Sequence, residues 1–380
     1  MATICVDCRY IRAKPSGIAE MVSGLIRYVP DLAPDLSFLL LKHHSVEGRL
    51  SAATNVREIV VRQPANGPAT MWWLPLAVDL SGVDVFHATF NIMPAGLKMP
   101  CITTVHDIMW LTHPQWCNAG LMGNLAKAFY THGINRALRH SAAIATVSRA
   151  TRDEIILRWP AAAARTFVTG SGVSYNFRPT DFDPAALTLL GIPSNKRFVL
   201  TVGQYAPYKN HEGALRAFAL AFKDHQELDL VFVQRQGNGQ KRLKQLADDL
   251  GIGERVHILC TIGRNDLVRL YSAAVALLHP SFCEGFGNPL AEAMACGCPI
   301  VTSSVSAMPE VTNGAARLAD PHDPAAVAAA LLQIIDNPIA TNSMRAKGLA
   351  RAAELSWQTF AAANLNLYRA ILGQSHQSGK

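Results

Sequence analysis

Residues 279–301 read HPSFCEGFGNPLAEAMACGCPIV, and the preceding VALLHPS is a short apolar run of strand type. The stretch reads as strand, Gly-rich bend, helix and second strand. Asn288 is expected as the helix N-cap, with Pro289 at the first helical position, where its missing N–H costs nothing. The helix is expected to run from Pro289 to about Cys296 and to stop at Gly297. Such a bend aims backbone N–H groups and the positive end of a helix dipole at one point, which suits a diphosphate. Two carboxylates flank that point: Glu284 just before the bend and Glu292 one turn inside the helix. A carboxylate can accept hydrogen bonds from two vicinal hydroxyls, so one glutamate suits a sugar and the other a ribose.

The same alternation extends outward in both directions. TICVDCRYI, VDVFHATF, CITTVHDI, AAIATVS and TFVTGSGV in the first half, then RFVLTVG, LDLVFVQR, VHILCTI, VALLHPS and PIVTSS in the second, are β-rich runs separated by helical segments. Strands alternating with helices predict parallel sheets, and both halves are expected to be doubly wound α/β domains. The polar, Pro-rich stretch at 176–197 sets the boundary. The expected domains are 1–178 and 179–356, with a final helix at about 357–380 that packs back on the first.

At 380 residues and 49% hydrophobic composition, the chain has enough apolar side chains for two cores. No basic leader and no uninterrupted apolar run of membrane-spanning length is visible, so a cytoplasmic protein is expected. The eight cysteines form no spaced framework. Cys5 and Cys8 of CVDC read as packing residues, because a strand sends residues three apart to opposite faces. The net charge of +7 is uneven: residues 1–178 hold 17 Lys and Arg against 11 Asp and Glu, and the remainder 18 against 17. A basic first half fits peripheral contact with an anionic membrane, at the inner face of the cytoplasmic membrane. The dispersed charges, without an aromatic-rich binding motif, argue against nucleic acid. Trp72 and Trp73 in MWWLPLAVDL suit either a membrane surface or a packed amphipathic helix.

EGFGNPLAE resembles the paired-glutamate motif of retaining glycosyltransferases of family 4, which have the GT-B fold: two Rossmann-like domains facing a cleft. VDCRYIRAKPSGIAE, TTVHDIMWLTHP, ATVSRATRDEI, GSGV, TVGQYAPYKN and ELSW, in that order, extend the resemblance over nearly the whole chain. Many bacterial mannosyltransferases of lipopolysaccharide and capsule assembly belong to that family. The resemblance implies a nucleotide-sugar donor in the second domain, a glycan or lipid-linked acceptor in the first, and no metal cofactor. GDP-mannose is the first candidate donor.

By the same resemblance, Glu284 contacts the donor sugar and Glu292 the ribose. Gly285, Phe286, Gly287, Asn288 and Leu290 surround the phosphates and sugar, Lys209 lies over the diphosphate, and His106 supports the transferred sugar, with Asp107 orienting it. Gly17 either lets the first loop approach the phosphates or simply opens a helix. Gln204 stands where the family often has arginine, and Arg235 and Arg264 are the candidates to compensate. Two further readings are a non-hydrolysing nucleotide-sugar epimerase of the same fold and a non-catalytic sugar-nucleotide-binding assembly protein.

Overall fold

A computed structural model describes residues 1–12, 16–117, 120–181, 183–237, 239–260 and 262–378. The chain divides into two units, Met1–Gly172 with Ser356–Lys380, and Val173–Leu355. The first contains β1 (Thr3–Asp7), α1 (Gly17–Leu32), β2 (Ser37–His43), β3 (Val56–Val61), α2 (Pro68–Ala77), β4 (Val85–Ala88) and β5 (Cys101–Val105). It continues through α3 (Met109–Thr112), α4 (Gly120–His140), β6 (Ala143–Thr146), α5 (Arg149–Arg158) and β7 (Thr166–Val168). Its seven strands lie in the order β3-β2-β1-β4-β5-β6-β7, and every pairing is parallel. Strands covered on both faces need near-continuous apolar runs, which is why CITTV and AIAT are buried at every position. β2 and β3 are strands that the sequence reading did not single out.

The second unit opens with α6 (Pro184–Leu189), inside the stretch expected to be linker. Asp183 caps it by accepting from Ala186 N–H at 3.1 Å, and Pro184 supplies a preset first turn. There follow β8 (Arg197–Val202), α7 (His211–Ala221), β9 (Leu228–Gln234), α8 (Gly239–Asp249), β10 (Val256–Cys260), α9 (Arg264–Ala273), β11 (Ala276–His279) and α10 (Asn288–Ala295). β12 (Ile300–Ser303), α11 (Met308–Thr312), β13 (Arg317–Ala319), α12 (Pro324–Asp336) and α13 (Pro338–Glu354) complete it.

The order β10-β9-β8-β11-β12-β13 reverses direction between β8 and β11, the switch point where open α/β sheets bind ligands at their strand ends. Residues of α7, α8 and α12, among them Leu215, Phe218, Leu243 and Leu331, close one core over β8 and β9. Right-handed crossovers place α9 and α10 on the opposite face, because the chain moves the other way across the sheet after β10.

The last helix, α14 (Trp357–Ser378), groups with the first unit. Gly24 of α1 and Gly172 make its docking possible. A Cβ on either would stand within 2.4 or 2.5 Å of the Trp357 ring. Farther along, Tyr368 hydroxyl and His87 Nδ1 share a hydrogen bond of 2.7 Å, and His87 Nε2 meets Thr104 Oγ1 at 2.8 Å. Burial holds the His87 imidazole at a pKa of about 3, so this joint is neutral.

Candidate active site

β11 ends at His279, and two residues later Ser281 follows on the same side. Their side chains converge on Glu284: His279 Nε2 lies 2.9 Å and Ser281 Oγ 2.9 Å from Oε1. Lys209 Nζ donates to the same oxygen at 2.5 Å. Glu284 is 8% exposed. Burial alone would raise its pKa, but the Lys209 ammonium and the His279 hydrogen bond reverse that and bring it to about 2. Burial also works against the charged form of Lys209, yet Glu284 raises its pKa above the ordinary value. His279 is pushed down by burial despite the carboxylate beside it.

The backbone around this cluster is fixed by hydroxyls and one amide. Ser306 Oγ accepts from Glu284 N–H at 3.2 Å and donates to Glu284 carbonyl at 2.9 Å. It does so from a left-handed backbone, φ 56°. Thr302 and Ser303 of β12 donate to the carbonyls of His279 and Ser281. Asn210, also left-handed at φ 54°, caps α7 by accepting from Gly213 N–H at 3.1 Å. Its Nδ2 donates to the carbonyls of Pro280 and Pro321, and Phe282 N–H donates to Tyr208 carbonyl at 2.8 Å. The loop carrying Lys209 and the loop carrying Glu284 are thereby tied together.

The start of α10 differs from the sequence expectation by one residue. Gly287, at φ 90°, is the N-cap, Asn288 is the first helical residue and Pro289 the second, and no side chain caps the helix. The left-handed turn at Gly287 replaces the cap that Asn288 was expected to provide. A Cβ at Gly287 would press on Leu290 Cδ1 at 3.1 Å. Leu290 is fully buried and its N–H is spent on Gly287 carbonyl at 2.9 Å, so Leu290 shapes the turn and offers no amide to a ligand. Helix geometry leaves the N–H groups of the first turn without intrahelical acceptors, and Asn288 opens that turn. Gly285 and Phe286 lead into it, with Phe286 buried at 8% exposure. Glu292, half-buried on the second turn of α10, accepts from Tyr271 hydroxyl at 2.8 Å. The two glutamates thus have different partners and different surroundings.

Gln204 and Arg235 line one cavity at the ends of β8 and β9, whereas Arg264 opens α9. Cys5 and Cys8 are buried free thiols whose pKa values burial raises well above the ordinary one.

In the first unit, His106 follows β5 directly. Its Nε2–H donates to Thr89 carbonyl at 3.0 Å, which leaves Nδ1 as the lone-pair nitrogen, and its N–H donates to Asn91 Oδ1 at 2.8 Å. Burial lowers its pKa against the opposing pull of the Thr89 carbonyl and Asp107, so the ring is neutral near pH 7. Asp107 Oδ1 accepts from Met109 N–H at 3.0 Å and so helps start α3. The Thr89 carbonyl holds the His106 ring, and Asn91 holds its backbone N–H. Gly17 is the exposed first residue of α1, capped by Ser16 Oγ accepting from Ala19 N–H. Of the loop before it, residues 13–15 lie outside the described residues.

Residues 188–351 match the glycosyl transferases group 1 family. Among curated proteins, the chain is 29% identical to the O-antigen chain mannosyltransferase B of Escherichia coli, over 76% of this chain and 74% of that protein. It is 33% identical to a D-inositol 3-phosphate glycosyltransferase of Streptomyces avermitilis, over 59% of this chain and 51% of that one. The chain therefore spans about half the length of that second relative. Among solved structures, sucrose-phosphate synthase of Thermosynechococcus elongatus aligns with a TM-score of 0.74 at 19% identity, covering 98% of this chain and 100% of that one. Anabaena HepE in complex with UDP-glucose aligns at 0.68 with 18% identity, covering 97% and 100%. The chain is a glycosyltransferase with the GT-B fold, and the match to the glycosyl transferases group 1 family lies within its second unit.

Proposed function

We propose that this chain transfers a hexose from a nucleotide sugar to a hydroxyl of a glycan or lipid-linked acceptor with retention of configuration, and that mannose from GDP-mannose is the first candidate. The observation that carries the reading is the buried Lys209–Glu284 pair set beside the start of α10. The donor binds to the second unit. Its diphosphate meets the α10 N–H groups and Lys209, which stabilise the charge that grows on the leaving group without a metal. Glu284 is ionised and immobile, suited to accepting from sugar hydroxyls, and Glu292 has the same role toward the ribose. The acceptor binds to the first unit, where neutral His106 supports transfer as a hydrogen-bonding ring. Mannose is favoured because the Escherichia coli relative is a mannosyltransferase, and UDP sugars stand second because HepE was solved with UDP-glucose.

The enzyme is proposed to act in the cytoplasm, against the inner face of the membrane. Trp72, Trp73 and Leu76 of α2 are 43%, 55% and 85% exposed, and they belong to the basic half of the chain. Among the described residues, no single helix is long and apolar enough to cross a membrane. Sedimentation with anionic vesicles that weakens as salt rises is the expected result; equal binding to neutral vesicles overturns it.

A thermal-shift panel of nucleotides and nucleotide sugars, followed by transfer to an acceptor extract, tests the donor reading. A ligand at a hundred times its dissociation constant adds about 2.7 kcal/mol to stability. GDP or UDP species are expected to raise the melting temperature without Mg²⁺. No response to any nucleotide would remove the reading.

A further inference from the structure

The two carboxylate oxygens of Glu284 are used unequally. Oε1 takes all three side-chain hydrogen bonds, from Lys209 Nζ at 2.5 Å, His279 Nε2 at 2.9 Å and Ser281 Oγ at 2.9 Å. A carboxylate oxygen has two lone-pair directions, so three donors leave Oε1 nothing to offer a ligand. Oε2 takes no hydrogen bond among the described residues, yet it is not one of the sealed, unpartnered polar atoms. It is the oxygen that faces outward from the cluster.

The proton on His279 follows from its neighbour. Ionised Glu284 can only accept, so the contact at Oε1 places the imidazole hydrogen on Nε2. Burial keeps the ring neutral, and the Lys209 ammonium alone balances the carboxylate. His279 therefore supplies direction without adding charge. Ser281 Oγ, which donates to Oε1, lies 3.2 Å from Nε2 and accepts a share of the same N–H.

Of the three donors, His279 is the one confined to this task. Lys209 is assigned to the diphosphate, and Ser281 presents a hydroxyl that rotates. His279 is a rigid ring, 2% exposed, at the last position of β11. It pairs with Thr302 of β12, and its carbonyl accepts from Thr302 Oγ1 at 2.7 Å. The orientation of the Glu284 carboxylate is thereby referred to the sheet itself.

We propose that His279 is a positioning residue for transfer: by holding Oε1 it presents Oε2 alone to the donor, so that Glu284 reads one sugar hydroxyl and does not bridge a vicinal pair. This rests on the proposed contact between Glu284 and the donor sugar.

Calorimetric titration of the full chain with GDP-mannose and UDP-glucose, each alongside its 2-, 3-, 4- and 6-deoxy forms, counts the hydroxyls that are read. With the nucleotide sugar that binds, one deletion should weaken binding about tenfold or more, the scale of one hydrogen bond to a charged group. The ratio should fall below about threefold in Glu284→Gln. His279→Asn, whose amide stops short of the Nε2 position, should lower it in the same way while free nucleotide affinity stays within about twofold. His279→Leu, which removes the donor without burying an amide, should do likewise, and His279→Gln, whose amide reaches as far as Nε2, should restore the ratio. A merely structural histidine would change melting in these variants and leave the ratio of parent to deoxy donor alone. Glu284-dependent losses at two neighbouring hydroxyls, or a ratio unchanged in a folded Asn or Leu variant, overturn the proposal. Binding and transfer without the expected pattern remove this proposal alone, whereas no binding of either nucleotide sugar removes the donor reading with it.

Discussion

At the end of β11, Glu284 is ionised in a nearly dry pocket and held by three side chains, one of them a lysine from another loop. At the end of β5, His106 is neutral, and its ring nitrogen is held by the backbone carbonyl of Thr89. Both residues stand at the C-terminal edge of a parallel sheet, where such folds bind ligands. The difference lies in what each edge must tolerate. Full charge at the first is affordable only because Lys209, His279 and Ser281 are positioned before any ligand arrives. The second carries no charge to compensate, so a main-chain acceptor suffices. One site is therefore costly to disturb and the other is not, and substitutions in the two should separate stability from activity in opposite ways.

Lys209→Met breaks the comparison most severely. It leaves Glu284 ionised and buried without its counter-ion, and removing one partner of a buried pair typically costs about 3–5 kcal/mol. Guanidinium denaturation should register that loss in the unit that contains both residues. The double variant Lys209→Met with Glu284→Gln should regain much of it. If the double variant were as unstable as the single, Lys209 would matter for packing rather than for charge.

Acid should act on the same pair. Glu284 has its folded pKa depressed from about 4.5 to about 2, so its stabilisation is fully present above the unfolded value and disappears as pH falls through the folded one. The contribution at neutral pH is about 3 kcal/mol, and most of its loss should fall between pH 4.5 and 2. Denaturation of wild type and Glu284→Gln across that window checks the sign: the difference between them should shrink with acid. A constant difference would mean that Glu284 titrates normally.

Much of this edge was legible in the sequence because its parts are short-range. Buried parallel strands are continuous apolar runs, so VALLH and PIVTS declare themselves, and the bend with its following helix is local chemistry. His279 and Ser281 were also within reach, since a strand end projects alternate residues to one side, and HPSFCE places both ahead of Glu284 at that spacing. Left-handed Asn210 and Ser306 carry no such signal, because their conformations are set by the carbonyls they bind 70 and 22 residues away. The helix cap misled for a related reason. Asn-Pro is a favourable start by itself, but Gly287 turns first because Leu290 packs beneath it. β2 and β3 are ordinary parallel strands whose SFLLLKH and VREIVV were legible by the same reasoning that found the others.

Glu292→Gln should cost less than either test of Glu284 and should appear in binding rather than folding. Tyr271 hydroxyl retains an acceptor in the amide oxygen, so the fold is preserved. On the proposed reading, the charge-assisted bonds to the ribose weaken, and free nucleotide affinity should fall by about 1.5–3 kcal/mol. Glu284→Gln should instead leave free GDP or UDP binding nearly intact and reduce binding or transfer of the sugar. Titration of both variants with nucleotide and nucleotide sugar separates these outcomes, and equal losses toward free nucleotide would dissolve the distinction between the two carboxylates.

His106→Gln should have the smallest effect on folding. The glutamine amide can still donate to a carbonyl, so the loss is at most the net worth of one hydrogen bond, about 1 kcal/mol. Turnover should fall by much more than donor affinity, because the residue belongs to the first unit while the donor is assigned to the second. The pH profile adds a readout that a structural role would not move. With its pKa lowered by burial, wild-type His106 is neutral at pH 7 and gains its proton at lower pH than an ordinary histidine. Any contribution that depends on the neutral ring should therefore be present at pH 7 and disappear on the acid side, where the glutamine variant shows no corresponding step. An identical acid limb in the two proteins, or a fully active His106→Gln, would reduce this strand end to scaffolding and leave Glu284 as the chemically committed partner of the pair.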